Sequence, residues 1–278
     1  MSEKKLMKGN EAIAEAAIRG GCRYFFGYPI TPQNEIPEYM SWRIREVGGD
    51  FVQAESEVAA INMVYGAAGA GARAMTSSSS PGISLKQEGI SYIACAELPC
   101  VIVNMVRSGP GLGGILASQC DYFQTVKGGG HGDYRLIVLA PASVQEMHDH
   151  VGLGMDLAFK YRNPAMILAD GAIGQMMEKV VLAPQRPRKT EEEIRQECRT
   201  WASYGKDADR ERNVVTSLEL QSEVMEKINQ RLQAKYKAME ENEVRYEAID
   251  CDDADYVIVA FGSSARICSA TVEMLSLI

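Results

Sequence analysis

Residues 100–106, CVIVNMV, are the stretch that most limits how this chain can fold. They are apolar and β-branched with almost no alternation. A strand of that kind is buried on both faces, as inside a parallel sheet covered by helices on each side. Parallel neighbours need crossover connections, so the flanking sequence must alternate strand and helix patterns. It does so over residues 1 to about 180. Asn10 is placed to cap a helix carrying Ile13, Ala16, Ala17 and Ile18, which Gly20 and Gly21 stop. Short strands are expected at 23–28, 50–53, 72–76, 136–140 and 165–169, and helices at 57–70 and 85–96. A further helix opens at Ser143, where Glu146 completes a capping box. The expected fold is therefore α/β, a doubly wound parallel sheet, and such sheets bind ligands at the carboxyl ends of their strands.

The pattern changes near residue 182. Residues 183–215 are polar, carry Pro184, Pro187 and Gly205, and read as an extended connector. Residues 217–247 form a long amphipathic helix whose stripe is Val224, Ile228, Leu232, Tyr236 and Met239. It is expected to lie across another domain or subunit. Residues 255–261 (DYVIVAF) read as a new buried strand that turns at Gly262 into a helix. The division expected is 1–182, 183–253 and 254–278, the last being the opening of a second α/β domain, because a lone strand–helix unit cannot bury a core.

Composition narrows the function. The net charge is −8, which argues against a general nucleic-acid binder, since a phosphate backbone rewards a basic surface. Small anions remain possible, needing only local cations or backbone N–H groups. No apolar run approaches the ~20 residues of a membrane span, and the polar start lacks a secretory apolar segment, so a cytoplasmic protein is expected. The seven cysteines are scattered, with no C-x2-C pair, which argues against disulfides and against an iron–sulfur or zinc site made by this chain. His148 and His150 are two apart, so on a helix they face different ways and do not pair on a metal.

The chemistry must lie in the loops that follow the strands. In YPITP, two prolines pin the backbone around the Thr31 hydroxyl. Glu57 opens a helix after the second strand, where an acid ordinarily balances the helix dipole. TSSSSPG, residues 76–82, gathers hydroxyls and N–H groups beside a helix start. Arg107 precedes GPGLGG, in which Gly109, Gly111 and Gly114 match a dinucleotide fingerprint. That fingerprint belongs after the first strand of its unit and opens a well-formed helix; here it follows the fourth strand and precedes weak periodicity. The glycine run 128–132 is another loop at the same edge.

Together, YPITP, the E-S-E before a helix ending YGAAGAGA, AMTSSSSPG, and a buried strand ending in Arg before GPGLGG make a sequence that resembles the thiamine-diphosphate pyrimidine-binding subunit of 2-oxoacid:ferredoxin oxidoreductases. The resemblance covers residues 9 to about 180. It implies a thiamine-diphosphate-binding (pyrimidine-type) sheet, and the final segment fits the start of that family's transketolase C-terminal-like domain. SSSSPGISLKQEGISY and AELPCVIVNMVRSGPGLGG resemble the alpha-type subunit of the branched-chain, 3-methyl-2-oxobutanoate enzyme more than the 2-oxoglutarate enzyme; pyruvate is a further alternative. The G-D-G motif that anchors diphosphate and Mg²⁺ in this superfamily does not occur here. The resemblance thus implies half a cofactor site, with Mg²⁺ held by a diphosphate-binding beta-type subunit. Iron–sulfur clusters would sit on a ferredoxin-like subunit, a gamma-type subunit would complete the assembly, ferredoxin would accept electrons, and CoA would be the cosubstrate.

By the same resemblance, Glu57 matches the acid that meets the pyrimidine ring. Arg107 can hold the substrate carboxylate as a charge-assisted pair and Thr31 can hydrogen-bond the reacting carbonyl or carboxylate, while Tyr28, Pro29, Ile30, Ser79 and Ser80 are assigned to the cofactor cradle. Two other classes compete. One is a dinucleotide-dependent dehydrogenase, suggested by GPGLGG alone. The other is a non-catalytic scaffold, which an intact YPITP and Glu57 argue against.

Overall fold

The structure, a computed structural model, describes residues 3–206 and 208–275. In chain order the elements are β1 (Lys4–Lys8), α1 (Gly9–Arg19), β2 (Tyr24–Gly27), α2 (Glu35–Glu46), β3 (Asp50–Gln53), α3 (Glu57–Gly69), β4 (Ala74–Ser78), α4 (Ser80–Cys95), β5 (Val101–Val106), α5 (Tyr122–Lys127) and β6 (Ile137–Leu139). There follow α6 (Val144–Tyr161), β7 (Ala165–Asp170), α7 (Gly171–Gln175), β8 (Met177–Val181), α8 (Glu191–Glu197), α9 (Ser222–Glu243) and α10 (Gly262–Leu275).

Six strands make one parallel sheet in the order β3-β2-β4-β5-β7-β6. The 100–106 run is central, as expected: every residue of β5 is buried. Its side chains divide between two cores. Val101, Val103 and Met105 join α1, α2 and α6 on one face, while Ile102 joins α3 and α4 on the other. This doubly covered sheet is the expected fold class.

Several elements differ from the sequence reading. Asn10 is not a cap. It is the second residue of α1, fully buried, and its Nδ2 donates to Pro32 O and Glu35 Oε2, both at 2.8 Å. Helix α2 has no counterpart in the sequence reading, although Ile36, Met40 and Ile44 recur at helical spacing and are buried. Helix α4 starts at Ser80 rather than 85, because Pro81 suits the first turn of a helix. β1 and β8 add an antiparallel pair outside the main sheet. The connector is not simply extended. Thr190 and Glu193 form a capping box that starts α8, and Cys198 and Ala202 are buried against the domain.

The long helix lies across this domain's own edge. Leu232, Tyr236 and Met239 pack on Ile137, Leu157, Ala158 and Ala165, with Ile228 partly buried beside them. Residues 255–261 are not a paired strand. Tyr256, Val257, Ile258 and Val259 are exposed, because a strand needs a neighbour for its backbone groups and none lies alongside among the described residues. The following turn does dock at the sheet's carboxyl edge: Phe261 stacks on Tyr122 and Ser263 N–H donates to Asp170 Oδ2 at 2.9 Å. No helix among the described residues is long and apolar enough to cross a membrane.

Candidate active site

Strands β3, β2, β4 and β5 are neighbours and parallel, so the loops that leave them meet at one edge. This juxtaposes Glu57, residues 28–32, the serine run and Arg107, which are far apart in sequence.

Glu57 is the first residue of α3 and is buried. Ser56 fixes the helix start, its Oγ accepting from Ala59 N–H at 3.2 Å. The α3 sequence is rich in alanine and glycine, and α4 meets it with glycines. A Cβ built on Gly82 would lie 2.8 Å from Glu57 Oε1 and would also run into Ser78 Oγ; one built on Gly89 would lie 2.6 Å from Ile61 Cγ2. Only the missing Cβ lets the Glu57 carboxylate settle against the first turn of α4. Glu55, by contrast, is exposed.

The serine run is mostly enclosed: Thr76, Ser77, Ser78 and Ser79 are all buried. Ser77 Oγ donates to Gln33 Oε1 at 2.5 Å, and Gln33 Nε2 donates to Tyr28 O at 3.1 Å, tying YPITP to β4. The Ser78 and Ser79 hydroxyls are buried without a hydrogen-bond partner. Buried polar atoms are normally satisfied, so two orphaned hydroxyls beside a buried acid suit a polar ligand. Ser80 has φ +22°, a backbone angle rare for a side-chain-bearing residue. Its N–H donates to Asn104 Oδ1 at 3.0 Å, and its Oγ accepts from Arg107 N–H at 3.1 Å.

Arg107 is buried and bridges two loops: Nη1 donates to Thr31 O at 3.0 Å and Nη2 to Leu112 O at 2.8 Å, while Nε has no partner. The backbone of Thr31 is therefore fixed and Thr31 itself is exposed at the rim, beside exposed Pro29 and half-buried Tyr28 and Ile30. A cleft of about 300 Å³ opens between Ser80, Pro81 and Ser84 on α4 and residues 108–111, Cys120 and Asp121. The GPGLGG loop opens no helix. It folds back so that Arg107 bridges Ala117, and the next helix begins only at Tyr122. It has no dinucleotide fingerprint geometry.

Three residues of this edge are not singled out by the sequence, Gln33, Lys86 and Asn104, and Gly82, which closes the TSSSSPG loop, is not marked there as the seat of Glu57. Lys86 is fully buried inside the otherwise apolar α4 stripe of Ile83, Ile90 and Ile93, and that misplaced charge is the available signal.

A buried acid at a helix start, orphaned hydroxyls and a buried arginine thus lie together on one sheet edge. Residues 15–248 match the family model of the pyruvate flavodoxin/ferredoxin oxidoreductase thiamine-diphosphate-binding domain, and the chain belongs to that family. It is 53% identical over 269 residues to ketoisovalerate oxidoreductase subunit VorB of Methanothermobacter marburgensis, covering 97% of this chain and 74% of that one. It is 38% identical over 282 residues to 2-oxoglutarate synthase subunit KorA of Archaeoglobus fulgidus, covering 99% and 78%. Among solved structures it resembles the 2-oxoglutarate:ferredoxin oxidoreductase of Magnetococcus marinus, which holds 2-oxoglutarate, coenzyme A and succinyl-CoA. There the TM-score is 0.85 at 27% identity, covering 99% of this chain and 52% of that chain. The present chain thus spans about half of that structural relative.

Proposed function

We propose that this chain is the pyrimidine-binding subunit of an oxidoreductase that decarboxylates a branched-chain 2-oxo acid, 3-methyl-2-oxobutanoate, to its acyl-CoA and CO₂ with electrons passing to ferredoxin. The observation that carries the reading is buried Glu57 set against Gly82, beside the orphaned Ser78 and Ser79 hydroxyls, on the edge where four strands end. Thiamine diphosphate, when bound, supplies the nucleophilic carbon and the electron sink for decarboxylation. Glu57 would hold the pyrimidine ring and share a proton with it. Tyr28, Pro29, Ile30, Ser79 and Ser80 form the cradle. Arg107 receives the substrate carboxylate, which replaces Leu112 O on Nη2, and the Thr31 hydroxyl holds the reacting carbonyl. Mg²⁺ and the iron–sulfur clusters belong to a diphosphate-binding beta-type subunit and a ferredoxin-like subunit, with a gamma-type subunit completing the assembly.

The branched-chain preference is supported by the likeness to VorB and by the loop over the cleft, where Leu112, Ile115 and Leu116 present aliphatic surface. In the same reading, 1–182 is the pyrimidine-binding domain, 183–253 the connector and long helix, and 254–278 the opening of a transketolase C-terminal-like domain, in which Tyr256 to Val259 gain a strand partner.

The test is 2-oxoacid-dependent viologen reduction by the assembled complex over a panel of acids. 3-Methyl-2-oxobutanoate should exceed 2-oxoglutarate and pyruvate in kcat/KM by roughly tenfold or more, the discrimination that a few methyl groups in a fitted pocket provide. A preference for 2-oxoglutarate would overturn the substrate assignment while leaving the half-site intact.

A further inference from the structure

Lys86 has no solvent exposure. On α4 it shares one face with Gly82 and Gly89, which lie one turn before and one turn after it. Both glycines are points where α3 comes closest, at Glu57 and at Ile61. Lys86 is therefore enclosed in the α3–α4 seam, one turn from the contact that seats Glu57. Its Nζ donates to Thr76 Oγ1 at 2.6 Å, two residues along β4 from the orphaned Ser78 hydroxyl.

An ammonium is costly to bury without an opposite charge. Burial pushes the Lys86 ammonium down to about 7 even with the charge of Glu57 acting to raise it. Glu57 is the acid whose charge favours the protonated form. Thr76 on β4 is neutral. Tyr134, from the loop packed on the other side of α4, donates its O–H to Gln87 Oε1 at 2.8 Å, and burial raises its pKa.

We propose that Lys86 is a positioning residue for Glu57: its buried ammonium, held by Thr76, is the counter-charge whose field acts on the carboxylate and favours transfer of the Glu57 proton to the pyrimidine nitrogen. With the cofactor bound, the Glu57 carboxyl would pass its proton to the ring nitrogen, and the nearby ammonium would stabilise the carboxylate left behind in low dielectric. A methionine at 86 would fill the same space but not the same role. The inference rests on the reading of Glu57 as the cofactor's acid.

Two measurements test it. In the full chain free of cofactor, ¹⁵N NMR of the lysine Nζ atoms should show one lysine titrating near neutrality. That signal should be missing from Lys86→Met and should move to lower pH in Glu57→Gln. In the assembled complex, Lys86→Met should lower kcat by roughly tenfold or more with KM nearly unchanged, the effect of losing one to a few pK units of charge stabilisation. It should also remove the fall in wild-type activity that accompanies loss of the Lys86 proton as pH rises. Thr76→Val, which cuts the tether but keeps the ammonium, should fall between. The inference is overturned by wild-type kcat and pH profile in Lys86→Met, or by a Lys86 resonance that ignores Glu57→Gln. The two readings separate cleanly: if Glu57→Gln itself turns over normally, the cofactor assignment fails, whereas an inactive Glu57→Gln beside a normal Lys86→Met removes only the role of Lys86.

Discussion

Replacing Glu57 with glutamine slows exchange of the thiazolium C2 proton in the assembled complex by ~10²–10⁴-fold, the range of general acid–base assistance, and, at a pH above the titration of Lys86 where the buried amine is neutral, leaves the melting curve unchanged. The amide has nearly the same shape as the acid, so it still fits against Gly82, where a Cβ would lie only 2.8 Å from Oε1. It has no acidic proton to share with a ring nitrogen. The competing view makes Glu57 a helix-start acid that balances the macrodipole, worth ~0.3–1 kcal/mol of stability. That view expects a lowered melting temperature and wild-type exchange. Deuterium exchange at C2 followed by NMR, run beside a thermal melt, separates the two in one preparation.

The second large effect is expected from Gly82→Ala. The added methyl meets the Glu57 carboxylate and the Ser78 hydroxyl at once. Both must shift to admit it, and each is a buried side chain on a fixed element, Glu57 at the start of α3 and Ser78 at the end of β4. The carboxylate is displaced, and a shift of about 1 Å in a reacting group costs on the order of 10²-fold in rate. Gly66→Ala is the control, because a Cβ there meets nothing within 4 Å and the position is helical. It should match wild-type activity. Equal losses in both variants would show that the rate responds to helix content rather than to the seat of Glu57.

Much of this architecture is legible in the residues alone, for identifiable reasons. The β5 run announces a strand buried on both faces, and the loops at the carboxyl edge follow from the parallel order. Glu57, Arg107 and the serines stand out because they sit at strand ends. What escapes is set by tertiary contact. Asn10 has the chemistry of a cap, but its side chain is spent on Pro32 and Glu35 across the chain. Gln33 matters only because Ser77 lies opposite it. The significance of Gly82 depends on how closely α3 approaches. Lys86 breaks the apolar stripe of α4 and is open to question on that ground, but only the packing of α3 shows what the charge faces. Residues 255–261 have a strand's composition, yet composition cannot supply the neighbour that a strand requires.

The central claim is that this chain holds the pyrimidine half of a shared thiamine-diphosphate site and does not act without a diphosphate-binding partner. The direct test is viologen reduction by the purified chain with thiamine diphosphate, Mg²⁺, CoA and 3-methyl-2-oxobutanoate, alone and after adding the partner subunits. The account predicts no turnover from the chain alone and full turnover on reconstitution. Turnover by the unaccompanied chain would contradict it.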